Sequence, residues 1–181
     1  MVDGNYRRAR NPGRFAPLHD VADQLVCDLV SEFRVQRTDA AALDPELEDR
    51  CELPRASVRL APEDPTSAPI LISFTAFPGI QMRLGHWHLM AFPACGCDSC
   101  NENVEAEIER LRNSVADVVA GRFAECIDIP NVGDAWLEAK FWARDGWSGS
   151  RVLLDRAQAE RLVSKSGGSA FHWQPWPASH S

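Results

Sequence analysis

The sequence predicts an α+β fold: an antiparallel sheet with helices packed on it, in the order α-βββ-α-βββ-α. Three observations lead there. Leu18 to Phe33 and Val104 to Val119 carry apolar residues at helical spacing. Ile70 to Phe77 and Ala135 to Arg144 are rich in β-branched, aromatic or alternating apolar residues, and the turn signals Pro78-Gly79 and Asp145-Gly146 join such stretches as hairpins. The strands come in groups, whereas a doubly wound parallel sheet needs strands and helices to alternate singly.

Taken in order, residues 1–14 form a polar N-terminal tail ending in the turn signal Asn11-Pro12-Gly13. Pro17 suits a first helical turn, where a missing N–H costs nothing. Leu18, Val21, Ala22, Leu25, Val26, Leu29, Val30 and Phe33 then share one helical face. Cys27, set among them, reads as a buried or half-buried small hydrophobe. Residues 35–56 read as a Pro-rich loop, with a short helix at Asp44-Pro45 and Cys51 as a loop thiol. Ser57 to Leu60 alternates as a short strand. Ile70 to Phe77 and a return strand from Ile80 or Gln81 to Phe92 make a hairpin. The return strand puts Met82, Leu84, His86, His88, Met90 and Phe92 on one face and Arg83, Gly85, Trp87, Leu89 and Ala91 on the other, so alternation does not choose the core face.

Val104, Ile108, Leu111, Val115, Val118 and Val119 mark the second helix. Ser99 and Glu102 have capping-box spacing and predict its start near Cys100, and Gly121 ends it. Phe123 to Ile129 reads as a strand and Asn131 to Asp134 as a turn. The next strand, Ala135 to Arg144, places Trp136, Glu138, Lys140 and Trp142 opposite Ala135, Leu137, Ala139 and Phe141. The Trp136 face is expected to lie under a second core layer or a helix, and Trp147 to anchor a loop. Ser150 to Leu154 returns, Asp155 caps a third helix reaching about Val163, and residues 170–181 form an aromatic tail lying against the body. Asp117, Glu125 and Asp128 read as surface charges.

The 181 residues, 45% hydrophobic and 25% charged, suit a single domain over 1–181. A net charge of −7 argues against general nucleic-acid binding, which needs a local excess of Lys and Arg. The cluster Arg7, Arg8, Arg10 and Arg14 reads as a solvated tail or a set of surface ion pairs. The first residues hold no apolar signal region, and no window reaches the length of a membrane span. The expectation is a soluble cytoplasmic protein in a reducing compartment. Its six cysteines are then thiols, metal ligands or redox centres rather than a disulfide framework.

Chemistry concentrates in Pro93-Ala94-Cys95-Gly96-Cys97-Asp98-Ser99-Cys100, three thiols within six positions. Thiolates are soft, strong zinc ligands, and Gly96 can fold Cys95 and Cys97 toward one point. The pattern predicts zinc held by Cys95, Cys97, Cys100 and His88, whose strand feeds the loop. His86, Asp98, Cys126, His172 or a water are alternatives for the fourth position. The competing chemistry is redox, since Cys97-Asp98-Ser99-Cys100 is a Cys-x-x-Cys unit at an expected helix start, although the hairpin context does not match a thioredoxin-like layout. No phosphate loop, paired-carboxylate signature or serine nucleophile elbow is present.

The segments Tyr6-Arg7-Arg8, Asn11-Pro12-Gly13-Arg14-Phe15-Ala16-Pro17-Leu18, Phe74-Thr75-Ala76-Phe77-Pro78-Gly79, Trp87-His88, Phe92-Pro93-Ala94-Cys95-Gly96-Cys97-Asp98-Ser99-Cys100 and Trp176-Pro177 resemble an uncharacterised bacterial family, a domain of unknown function with a Phe-Pro-x-Cys-Gly-Cys-Asp-x-Cys core. Asn101-Glu102 departs from the acidic pair usual after its last cysteine, and the resemblance implies no catalytic residue. The reading that follows from the residues is a structural zinc site in a protein-binding module, with the zinc pinning the hairpin to the second helix. The alternative is a thiol-redox or metal-dependent enzyme using the same cysteines.

Overall fold

A computed structural model describes residues 11–41, 56–143 and 146–179, and among these described residues the chain builds three helices and two antiparallel sheets. A 3-10 turn, Pro12–Phe15, buries Phe15 and leads into α1, Pro17–Glu32, with its proline in the first turn as expected. Leu18, Ala22, Val26 and Leu29 are buried along one narrow stripe. Cys27 lies about 100° round the helix from Val26 and is exposed, which corrects the buried reading.

The first sheet is a five-stranded meander, β1 to β5 in chain order. β1, Val35–Asp39, lies inside the stretch expected to be loop; its side chains are largely exposed, so no apolar alternation marked it. It pairs with β2, Ala56–Pro62. The short helix at Asp44-Pro45, Cys51, the tail residues Arg7, Arg8 and Arg10, and Asp145 of the hairpin turn lie outside the described residues. β3, Ile70–Phe74, is buried at every position because both of its neighbours and both faces are covered. The expected single return strand is two strands, β4, Ile80–Leu84, and β5, His88–Phe92. Gly85, at φ +62°, turns the chain between them. The core face is the one bearing Met82, Leu84 and Phe92, joined by Ile80, Ile70 and Ile72.

α2, Val104–Val119, starts later than the capping-box spacing predicts. Asn103 is its cap, accepting the Ala106 N–H at 3.0 Å, and Gly121 at φ +68° follows its end. The second sheet has the order β8-β7-β6-β9: β6 is Phe123–Asp128, β7 Ala135–Ala143, β8 Gly146–Leu154 and β9 Ala170–His172. Between β8 and β9 runs α3, Arg156–Ser166, capped by Asp155, which accepts the Gln158 N–H at 2.8 Å. The aromatic tail adds β9 to the sheet and buries Trp173 and Trp176, so it does lie against the body. The Trp136 face is not covered as expected: Trp142 is partly exposed and Trp147, its cross-strand partner, is 69% exposed on β8 rather than anchoring a loop.

One core joins α1, the first sheet and α2 with Phe123, Ala139, Trp173 and Trp176. A smaller one sets Trp87, Ile127, Ala135 and Leu137 against Ala159 and Leu162 of α3. Each fully buried large apolar side chain contributes about 2 kcal/mol. Glu125 corrects a further expectation. It shares a strand face with Phe123 and Ile127 and is 2% exposed, not a surface charge. Its Oε1 accepts N–H from His86 (2.6 Å) and from the Trp173 ring (3.2 Å), and its Oε2 accepts from Trp87 (3.0 Å) and His88 (3.2 Å). It thereby ties β6 to the β4–β5 turn and the tail. Among the described residues no helix is long and apolar enough to cross a membrane.

Candidate metal centre

The loop between β5 and α2 carries the three cysteines, and it is built by side chains from four other places. The Phe92–Pro93 peptide is cis, and the chain then turns so that Gly96 takes φ +73°. A Cβ on Gly96 would come within 2.7 Å of the Phe77 ring, so only glycine lets the loop sit down on the β3–β4 turn. Phe77 in turn packs on Phe15 at 5.9 Å, and His19 Nε2 of α1 lies 3.0 Å from the Gly79 carbonyl oxygen. Arg14 reaches in from the 3-10 turn to pair with Asp98 at 3.3 Å. Thus Arg14, Phe15, Phe77, Gly79, Gly96 and Asp98, scattered over the segments that carry the family resemblance, meet around one loop.

Glu102 closes the loop from the other side. Its carboxylate accepts the Cys95 N–H at 3.2 Å and the Gly96 N–H at 2.6 Å. This corrects the capping-box reading: Glu102 caps the cysteine loop, and Asn103 caps the helix. Cys100 sits in the turn four residues before the first residue of α2, and the helix macrodipole acts within the terminal turn only.

Cys95 Sγ lies 3.1 Å from Cys97 Sγ, and Cys97 Sγ lies 3.4 Å from Cys100 Sγ. All three sulfurs fall within 4.8 Å of one another. Zinc–sulfur bonds of about 2.3 Å in a tetrahedron put sulfurs about 3.8 Å apart, so the group is at the spacing of one mononuclear ion. A [4Fe–4S] cluster would seat each thiolate on a different iron and spread the sulfurs wider. Cys97 is buried, and Cys95 and Cys100 are exposed. The contacts from Cys95 and Cys100 hold the Cys97 thiol below its ordinary range, while the contacts with Cys97 and Cys95 push Cys100 up to about 12. Cys97 therefore gives up its proton more readily than Cys100, and a soft cation that replaced the thiol protons would be met first by the Cys97 sulfur.

His88 is not part of this group. It is the first residue of β5, and the cysteines follow the last, so a strand about 13 Å long lies between them. The strand delivers its other end to the loop. The His88 ring packs near Phe123 (5.9 Å) and Phe141 (5.5 Å), with Nδ1 3.5 Å from Ser150 Oγ. Burial pushes its pKa down to about 4. His86 packs on Phe171 at 4.4 Å, His172 stacks on Trp142 at 6.0 Å, and Cys126 lies on β6, so none of them joins the cysteines either. Beside the cysteine loop a groove of about 740 Å³ runs along β5 from His88 to Ala94, walled by α2 through Arg110 and by β7 and β8 through Phe141 and Ser150. Sequence reasoning missed Glu102 and Glu125 as organising carboxylates. For Glu125 the signal was present, because period-2 alternation puts it on the Phe123 face.

A family described as a family of unknown function, DUF6226, matches this sequence over residues 1–180. No curated protein and no solved structure matches.

Proposed function

Because the chain belongs to this family of unknown function, we propose from its own geometry that Cys95, Cys97 and Cys100 hold one zinc ion, with water in the fourth position. The observation that carries the reading is the convergence of three sulfurs within 4.8 Å on a loop whose backbone is already pinned by Glu102 and Phe77. Such pre-organisation lowers the ordering cost of binding an ion. The zinc acts as a clasp. It ties the end of β5 to the lead into α2, which are two walls of the adjoining groove. The groove then serves as a protein-binding site for an extended segment, laid along β5, the edge strand of its sheet.

Exposure of Cys95 and Cys100 favours one second reading, a metal-dependent or thiol-redox enzyme working at the open position. One experiment tests the clasp and separates the two. Protein purified without added zinc is analysed for metal, and its thiols are titrated before and after chelation. The clasp predicts one zinc per chain, three thiols unmasked by chelator, and loss of several kcal/mol of stability on chelation or in Cys97→Ser. Metal-free protein with a reactive Cys97 would overturn it, and a Cys97→Ser variant that keeps its full stability would move the assignment to the enzyme.

A further inference from the structure

The outer edge of the second sheet is built like one half of an interface. The two sheets have β1, β5, β8 and β9 at their edges. β9 is three residues long, β1 carries Arg37 and Asp39, and β5 lies in the groove walled by α2. Short strands, charges and covering elements are the usual devices against edge-to-edge pairing. β8 is the exception. It runs nine residues with every position exposed except Leu154, and its one charged residue is Arg151. Trp147 is 69% exposed, Leu153 53% and Val152 50%. The neighbouring strands fix which backbone groups this edge offers. The Trp142 N–H donates to the Arg122 carbonyl, on the β6 side of β7. Backbone groups alternate along a strand, so Phe141 turns its own toward Ser148 of β8, and every second pair of the register follows. Ser148, Ser150 and Val152 therefore bond to β7, whereas Trp147, Gly149, Arg151 and Leu153 direct their N–H and C=O groups out of the sheet.

We propose that a second copy of this chain docks on this edge, its β8 antiparallel to the first about a two-fold axis at Ser150, so that two four-stranded sheets become one continuous sheet. The register favours this axis over its neighbours. With Ser150 opposite Ser150, Trp147 faces Leu153 of the second copy and Gly149 faces its Arg151. All four outward-directed residues are then paired, each pair exchanging two N–H···O bonds. An axis at Gly149 leaves Leu153 without a partner in the strand. An axis at Arg151 leaves Trp147 without one and sets two arginines directly opposite, which is destabilising. Directly opposite residues share a face, so side chains line up in rows across the joint. Trp142 and Trp147 of one copy continue into Leu153 and Trp136 of the other, an apolar row that the two-fold axis repeats. Between those rows run Lys140 and Gly149, then Arg151 and Glu138 of the second copy. Gly149 leaves room for the facing arginine. Arg151 keeps Glu138 at 3.1 Å, and Lys140 lies 3.5 Å from the same carboxylate, so the charges on this face are matched within each copy. The contact is about 30 Å long and one strand deep, at the small end of specific interfaces, so the dimer forms reversibly with concentration.

Sedimentation of the full chain over a wide range of concentration should show a monomer–dimer equilibrium. Amide exchange followed by NMR identifies the surface. In the dimer the N–H groups of Trp147, Gly149, Arg151 and Leu153 gain protection together, whereas those of Ser148, Ser150 and Val152 are protected at every concentration. Trp147→Lys and Leu153→Glu, both at exposed positions, each weaken dimerisation by about tenfold or more and leave the melting temperature of the monomer unchanged. Combined in one chain, the two substitutions face each other across the joint as opposite charges, so the double variant dimerises more tightly than the two single losses added together predict. Val30→Lys, exposed on α1, dimerises as the parent does. The proposal is overturned if the chain stays monomeric at every concentration or if a dimer forms without new protection of those four amides. It is equally overturned if the single variants dimerise as the parent does, or if the double variant shows no coupling. None of these readouts depends on zinc or on the groove, so the edge stands or falls separately from the cysteine loop.

Discussion

Replacing Glu125 by glutamine tests what holds the two sheets together. The carboxylate takes four N–H donors, and an amide of the same shape keeps one oxygen and turns an NH₂ toward the other two donors. At pH 5 the group is the neutral acid, whose hydroxyl oxygen can still accept where an amide NH₂ cannot; leaving the two buried donors that face it without an acceptor costs about 1–3 kcal/mol each, so the substitution should destabilise by about 3 kcal/mol at pH 5. The pH dependence is more telling than the loss. Burial outweighs the four donors and pushes the Glu125 pKa up to about 7, from an ordinary 4.5. A carboxyl whose pKa is raised by folding contributes stability that is fully present below the unfolded value and lost as pH rises through the folded one. The contribution is about 3 kcal/mol, and it fades between pH 4.5 and 8. Glutamine does not titrate. Urea unfolding of both proteins at pH 5, 6, 7 and 8 should therefore show the gap between them shrinking from about 3 kcal/mol toward zero. Other titrating groups are common to both and cancel in the difference. A gap that widens with pH would refute the reasoning, because it would show the four N–H donors winning over desolvation.

His88 predicts the opposite slope. Its pKa, lowered to about 4 by burial, means stability present above about pH 6.5 and lost as the pH falls toward 4. Wild type should lose about 3 kcal/mol more than His88→Leu between pH 7 and 4, measured by urea unfolding. Because His88 lies outside the cysteine group, zinc content of this variant should equal that of wild type by metal analysis. Gly96→Ala should cost at least 1–2 kcal/mol for the left-handed backbone alone, and more because Phe77 must move. It should also weaken zinc retention in a competition with chelator, whereas Gly167→Ala, at φ +75° with open space around it, pays the backbone cost only and retains zinc as wild type does.

Much of this protein was legible from local pattern. The stripe Leu18, Ala22, Val26, Leu29 and the caps Pro17, Asp155 and Gly121 depend on neighbours a few residues away, so α1, α3 and the end of α2 follow from spacing. The α+β class follows for the same reason, as does the thiol cluster, whose ligands are five positions apart at most. What sequence pattern could not decide was set by long-range contacts. β1 carries no apolar face of its own and exists because β2 offers it an edge. The β4–β5 turn looks like continuous strand until Glu125, from the next sheet, collects its three N–H groups. Glu102 has capping-box spacing, yet its carboxylate accepts the Cys95 and Gly96 amides, and Asn103 caps the helix. Adjacency in the chain is enough to put three thiols in one loop. The tertiary structure decided that Glu102, Phe77 and Arg14 shape that loop and that His88 is kept away from it, because a strand's length separates residues that adjacency in sequence makes look like partners.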